Sequence, residues 1–439
     1  MTNAKEDFIM CMKKRSVAMF LPLAFILVVG NVWAEAIPET VKNQDSAPLA
    51  IRGNWPHWRG PNGDCHAQAQ LPAAWPEKLV LRWSVRAGQG YSSPIVASGR
   101  VFLHSRTENT EDVNSFDAVT GKEVGHWSQP VTIAPQTEGY QPAATPVWHE
   151  GKIVIHSITG SVFCFDELLG KVIWKRDLLE DLNASGPQFG PSASPLIVNG
   201  CVVLPVGDSV SGCVVGLDLM TGKTVWQAGS SPPGYATAVA GRVAGVDQLF
   251  VFGLRDLQIF KKAGPLYEVA SNYEYDAGEG NQCTPAILGD DTVLITNEEN
   301  TAVLRMAVEN EKLKSAVLWS VPHPGGMSSP LVYAERIYLF SKGAVLCLSP
   351  ADGATLSSFE LSGEYCSMVR IDNVLLCLSD EGRLIVVDVS GPAMKKLADY
   401  KVSDEKTGAH LTVVDGFLFV RSSAELRCLA FSTTTKLPP

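Results

Sequence analysis

What this chain lacks narrows it before any motif does. Its 439 residues include ten cysteines but no Cys-x-x-Cys spacing, so zinc and thiol-redox chemistry have no ligand pair to start from. No Gly-x-Ser-x-Gly elbow is present, which leaves a serine hydrolase without its nucleophile turn. Cationic residues are in deficit: 36 Lys and Arg stand against 46 Asp and Glu, a formal net charge of −10. A surface of that sign repels nucleic acid and anionic lipid. The apolar run SVAMFLPLAFILVVG at 16–30 falls short of the ~20 residues that a spanning helix needs.

What is present is an ordinary globular composition, 46% hydrophobic and 19% charged. Single cores stop growing near ~250 to 300 residues, so a chain of this length is two domains or a repeat array. Lys13, Lys14 and Arg15 precede the apolar run and the small residues Val32 and Ala34 follow it, the pattern of an export signal cut after Ala34. Removing 1–34 deletes four cations and two carboxylates, which moves the charge from −10 to −12. No cysteine stands just after the run, where lipid attachment would need it. Nine cysteines remain, and Cys164, Cys347 and Cys428 lie in strand-like runs as small buried hydrophobes. A bridge from Cys201 to Cys213 across a hairpin is compatible with an oxidising compartment.

The organising feature is a repeat. WSVRAGQGYSSP at 83–94 returns as WSVPHPGGMSSP at 319–330, and six further anchors align with the closing Pro, at 146, 195, 238, 285, 368 and 411. Successive anchors are 52, 49, 43, 47, 45, 38 and 43 residues apart, the spacing of four-stranded propeller blades. Each anchor opens a β-hairpin, as in PIVASGRVFLHS and PLVYAERIYLFS. A third strand then enters a tight turn in FDAVTGKEVGHW, FDELLGKVIW and LDLMTGKTVW. Asp117, Asp166 and Asp218 are placed to bond turn amides, and Gly121, Gly170 and Gly222 to take the positive φ that closes the turn. Trp127, Trp174 and Trp226, with Trp83 and Trp319, belong to fourth strands, where a large ring suits the seam between blades. Trp127 comes two residues late, which keeps it on the same strand face.

Residues 79–85 are a fourth strand with no three strands before them, and the last unit has three strands and no fourth. The expected fold is therefore an all-β, eight-bladed propeller of four-stranded antiparallel blades, closed by pairing an N-terminal strand with the C-terminal blade. The expected organisation is a signal peptide at 1–34, a flexible tether at 35–54, an N-terminal strap at 55–78, the propeller at 79–432 and a disordered tail at 433–439.

The Asp-x-x-Thr-Gly-Lys-x-x-Trp phrase, at this period and behind an export signal, resembles the pyrroloquinoline-quinone-repeat β-propellers. That group holds quinoprotein dehydrogenases and a non-enzymatic propeller of outer-membrane protein assembly. The resemblance covers 79–431, and WPHWRGPNGD at 55–64 with LPAAWP at 71–76 is similar to the lead-in of secreted propellers in the group. The units at 238, 368 and 411 lack the full phrase. The resemblance implies a blade architecture and not an activity, since the phrase builds blades and binds nothing by itself.

A dehydrogenase of this group would need adjacent cysteines, a carboxylate and amide set for calcium and a catalytic Asp. No two cysteines here are adjacent, and no long insertion walls off a pocket. No cofactor, metal site or catalytic residue is therefore expected. His104 and His156 match between adjacent blades, but Pro205 and Phe252 follow in the next two, so they read as strand-end histidines and not metal ligands.

Binding, if present, belongs to the end that carries the connections from fourth to first and from second to third strands. Residues 107–114, 128–143 and 175–191 lengthen that end. Tyr91, Tyr235, Gln282 and Tyr365, three residues before their anchors, form the candidate funnel mouth, with Arg106, Arg255 and Lys342 as nearby charges. A simpler reading is that these side chains plug the channel. Trp55, Trp58 and Arg59 read either as a recognition element or as a strap tied over the ring. The expectation is an exported scaffold at the cell envelope. It would bind protein or peptide, with carbohydrate second, and neither nucleic acid nor, once the signal is cut, a membrane. A quinone-dependent or sugar-acting enzyme is the alternative.

Overall fold

A computed structural model describes residues 51–132, 141–275 and 281–431. The signal peptide, most of the tether and the tail expected from sequence lie outside these residues, as does 133–140 of one lengthened connection. The described chain forms eight four-stranded antiparallel sheets, each with its strands in chain order except the last. Blade 1 runs Ile95–Ala97, Arg100–Thr107, Thr110–Asp117, Glu123–Pro130, and blades 2 to 7 repeat that order as far as Lys401. Blade 8 takes Thr412–Val414, Phe417–Arg421 and Glu425–Ala430 from the end of the chain and Val80–Arg86 from its beginning. Trp83 lies opposite Cys428 and Val85 opposite Leu426, so the ring closes by joining the two ends of the chain.

The alternation of small apolar residues in the inner strands makes two-sided burial possible, and the core lies between blades. One cluster joins Val154, Val162 and Cys164 of blade 2 to Val202, Val215 and Leu217 of blade 3, and another joins Phe250 and Ile259 of blade 4 to Val293 and Leu304 of blade 5. Between third and fourth strands the register slips once in every blade. A bulge there adds the local twist that an outermost strand needs and blunts the exposed edge.

The recurring Ser/Thr before each anchor proline proves to be a fastening. Ser93 N donates to Thr145 Oγ1 at 3.1 Å, Thr145 N to Ser194 Oγ at 2.9 Å, and Ser194 N to Thr237 Oγ1 at 3.1 Å. Across the closure His410 N reaches Ser93 Oγ at 2.9 Å. Each hydroxyl thus satisfies a backbone amide of the neighbouring blade at a place where no strand pairs with it.

The tryptophans dock on the following blade. Trp83 Nε1 donates to Ala118 O at 3.1 Å, Trp174 to Leu219 O at 2.8 Å and Trp319 to Pro350 O at 2.8 Å. Each ring lies flat on a turn glycine: a Cβ added at Gly121 or Gly222 would come within 2.6 or 2.7 Å of ring carbon, and both glycines carry a positive φ, 71° and 69°. Asp117 and Asp218 hold those turns, each Oδ1 accepting a Thr amide at 2.8 Å and the same Thr hydroxyl at 2.7 Å.

Blade 2 departs from the expectation. Asp166 Oδ1 accepts Leu168 N and Gly170 N, but the positive φ belongs to Leu169 at 59° and not to Gly170. The reason is packing: Leu169 is drawn into the seam with Trp127, Phe163 and Phe165. Trp127 does keep the core face, its ring 4.6 Å from that of Phe165. Trp226 meets a blade without the phrase, and its Nε1 is buried without a hydrogen-bond partner while the ring packs on Tyr267.

The Cys201–Cys213 bridge is not formed. Cys201 pairs with Asp218 and Cys213 with Val206, five positions apart along the same strand, too far for a disulfide. All nine described cysteines are free and buried.

Candidate functional site

Strand direction sorts the connections into two ends of the channel. Turns between first and second and between third and fourth strands lie at one end, and the remaining connections lie at the other, the funnel end.

At the first end the chain seals the channel with its own strap. Asp415 Oδ2 accepts the amides of Arg52 and Gly53, both at 2.8 Å, so the chain is already held in the last residues of the expected tether. Trp55 forms a bridge with Val96 of blade 1 and is buried, Pro56 O accepts Trp148 N of blade 2 at 2.7 Å, and Cys65 O accepts Arg370 N of blade 7 at 2.8 Å. Three side chains then turn inward. Trp58 Nε1 donates to Thr284 Oγ1 at 3.1 Å, with its ring 5.2 Å edge-on to His410. Arg59 donates from Nη2 to Pro330 O at 2.5 Å and from Nε to Cys65 Sγ at 3.0 Å. Cys65 Sγ lies 3.5 Å from His410 Nε2.

The protons on this cluster follow from its partners. His410 Nδ1 lies 2.8 Å from Leu411 O and must carry the hydrogen, which leaves Nε2 to accept from the Cys65 thiol. Burial, helped by the nearby Arg59 charge, lowers the imidazole pKa to about 4, and burial raises the Cys65 thiol. Both are therefore neutral in the folded chain.

The funnel end carries the seven candidate residues, but the structure gives them different fates. Tyr365 is half-buried, its amide donating to Asp380 Oδ1 at 3.3 Å and its carbonyl accepting Asp380 N at 3.0 Å, and burial raises its phenol. Tyr91 stays at the rim, 36% exposed, its amide bonded to Pro142 O at 2.8 Å. A Cβ at Gly408 would come within 2.6 Å of the Tyr91 ring, so Gly408 leaves the space in which that ring lies. Tyr235 stands with its ring 5.9 Å from Phe189, and Gln282 donates to Glu298 Oε1 at 3.3 Å. Arg106 pairs through its backbone with Gln89, Arg255 lies in the 2–3 turn of blade 4, and Lys342 occupies the turn of blade 6 with φ 50°.

Of the lengthened segments, 107–114 is not a loop. It is the tip of an extended hairpin, with strands to Thr107 and from Thr110. Residues 175–191 include a short helix, Leu178–Leu182, capped by Asp177 accepting Glu180 N at 3.2 Å, and Phe189 beyond it. Leu179 and Pro187 of this insertion roof a narrow recess whose lining includes His156, Pro205 and Pro233.

Sequence reasoning missed a set of stitches between blades. His104 and His156 reach the next blade through Nδ1, 3.4 Å from Ala144 O and 3.1 Å from Ala193 O. The eighth blade places Arg421 at the same register, Thr412 opposite Phe419 matching Ile95 opposite Phe102. Arg421 Nη1 donates to Ser92 O at 2.6 Å and His104 O at 2.8 Å, and Nη2 to Gly88 O at 3.0 Å. Carrying the hairpin alignment to the last unit would have found it.

Glu111 has no sequence signature. It is fully buried, takes His104 Nε2 at 2.8 Å, Ile158 N at 3.1 Å and Gln129 Nε2 at 3.2 Å, and is also bonded by Ser157 Oγ. Burial would raise its pKa, but the bonds and charge of His104, with Ser157 and Ile158 N, outweigh it and lower it. Ser157 spends its hydroxyl on the carboxylate, not on the histidine, so no nucleophile–base pair is formed.

A quinone and its calcium do not fit the residues present. The strap's Trp58, Arg59 and Cys65 lie across the inner strands, Asp380 is committed to Lys406 at 3.0 Å, and among the described residues no three His, Cys, Asp or Glu side chains are grouped to share a metal.

Comparison with known proteins agrees on the fold. The structure of BamB from Moraxella catarrhalis superposes with TM-score 0.59 at 14% identity, over 81% of this chain and 98% of that one. Quinohemoprotein alcohol dehydrogenase from Comamonas testosteroni superposes with TM-score 0.66 at 14% identity, over 88% and 82%, and a europium-containing methanol dehydrogenase with 0.64 at 12%, over 86% and 98%. No curated protein sequence matches the chain. The profile described as outer membrane protein assembly factor BamB matches residues 70–203 and 109–359, more than half of the sequence, and the chain belongs to that family.

Proposed function

We propose that this chain is an exported, non-catalytic scaffold of the cell envelope that holds a segment of another protein on the funnel end of its ring. Residues 1–34 would be the export signal and 433–439 a loose tail. The observation that carries the reading is the sealed axis: Trp58, Arg59 and Cys65 of the strap bond to the inner strands of several blades, so a ligand is left with the rim. There Tyr91, Phe189 and Met327 are between 36% and 38% exposed, large apolar side chains on connections that a rigid ring holds in place. The matched family's description and the envelope role in the name of the Moraxella catarrhalis protein's family agree with this reading.

The test is selection of random decapeptides on the purified protein, run beside a rim variant, Tyr91→Arg with Met327→Arg. Enrichment on the wild type alone supports the reading, and equal enrichment on both sinks it. The enzyme alternative has its own experiment: titration of quinone with calcium, where uptake of the quinone absorption by the wild type would favour a dehydrogenase.

A further inference from the structure

Carboxylates outnumber cations in the described connections of the funnel end. In blades 5 to 8 the described connections 297–300, 341–344, 361–365, 379–382 and 402–407 carry seven carboxylates and two lysines. Lys406 is one of the two, and it is already consumed: Asp380 holds it at 3.0 Å, and Glu364 and Glu381 act on it as well. Glu299, Glu364, Glu381, Asp404 and Glu405 are exposed. Glu364 and Glu381 flank Tyr365, and Met327 stands in the connection before blade 6. Met327 and five exposed carboxylates therefore stand in the same half of the ring.

We infer that the segment held on this rim is cationic, an extended peptide whose Lys or Arg residues alternate with aliphatic or aromatic ones. This rests on the reading of the funnel end as a protein-docking face. Alternation follows from the geometry of an extended chain, whose successive side chains point to opposite sides. One row meets Met327 and Tyr91 while the other reaches the carboxylates. Complementary charge fixes partner choice and speeds encounter more than it adds affinity. The same sign disfavours anionic lipid and nucleic acid as occupants.

The decapeptide selection decides it. Peptides enriched on the wild type should carry a net charge of about +2 or more. A synthetic peptide of the enriched pattern should bind about tenfold more weakly when salt rises from about 0.05 M to about 0.5 M. The variant Glu364→Lys/Glu381→Lys/Glu405→Lys should lose about tenfold in affinity, whereas Glu150→Lys/Glu335→Lys/Asp372→Lys, exposed turns at the strap end, should bind as the wild type does. Unchanged melting temperature in both triple variants separates binding from folding. Enriched peptides without excess positive charge overturn the inference and leave the docking face standing. Peptides that the rim variant enriches equally overturn the docking face, and the inference with it.

Discussion

The two ends of the channel are built from the same eight hairpins and finish differently. At the strap end aromatic and cationic side chains are buried and bonded to blades: Trp55 is 2% exposed and Arg59 3%. At the funnel end Tyr91 is 36% and Met327 38% exposed. A propeller can hold a ligand along its axis or on its rim, and here the chain has spent the axis on itself. The difference teaches that a propeller's name says little about its ligand, because a dozen residues outside the repeat decide whether the channel is available.

The largest expected effect breaks the sealed end. Trp55→Ala removes a fully buried ring that lies within 2.9 Å of where a Cβ on Gly60 would stand, and it should cost about 3 to 5 kcal/mol in denaturant unfolding. An unchanged unfolding midpoint would mean that the strap rests on the ring without stabilising it.

Acid should separate the ends next. His410 at the strap and His156 beside the funnel recess both have their pKa lowered by burial to about 4. Unfolded histidine binds its proton near pH 6.5, the folded ones only near 4, so between those values unfolding takes up protons. Stability is full above about pH 6.5 and falls as the pH drops toward 4, by up to about 3 kcal/mol for each residue. His410→Asn should flatten part of that slope, measured as unfolding free energy against pH. A flat profile for the wild type would show that these imidazoles are charged or solvated in the folded chain.

Much of the sealed end and all of the ring could be read from the sequence, for a physical reason. Blade spacing, the Asp and Gly of the turns and the fourth-strand Trp are local requirements of strands and turns, so they recur and align. The vacancy in the last blade and the orphan strand at 79–85 could be matched because a sheet edge must be paired. What stayed hidden depends on neighbours distant in sequence. Nothing near Leu169 says that it, and not Gly170, will take the left-handed conformation, since its side chain packs in a cluster shared with Trp127 and Phe102 of the preceding blade. Tyr365 and Tyr91 are equivalent by register, yet the backbone of Tyr365 is tied to Asp380 while the Tyr91 ring lies over Gly408, whose missing Cβ leaves it room. Arg421 was within reach of the alignment, and Glu111 was not, for its partners come from two blades.

The smallest effect sharpens the contrast from the open side. Tyr91→Ala with Met327→Ala removes two side chains that no core cluster includes, so the unfolding free energy should move by no more than about 0.5 to 1 kcal/mol. The same pair should abolish decapeptide enrichment. Stability and binding would then part company at the rim, whereas Trp55→Ala should lower stability at the other end without touching peptide preference at temperatures where the ring is folded. A rim variant that unfolds as readily as Trp55→Ala would show that Tyr91 over Gly408 is a ring closure, one more stitch between blades 8 and 1 beside Arg421, and that the open end is packed for stability after all.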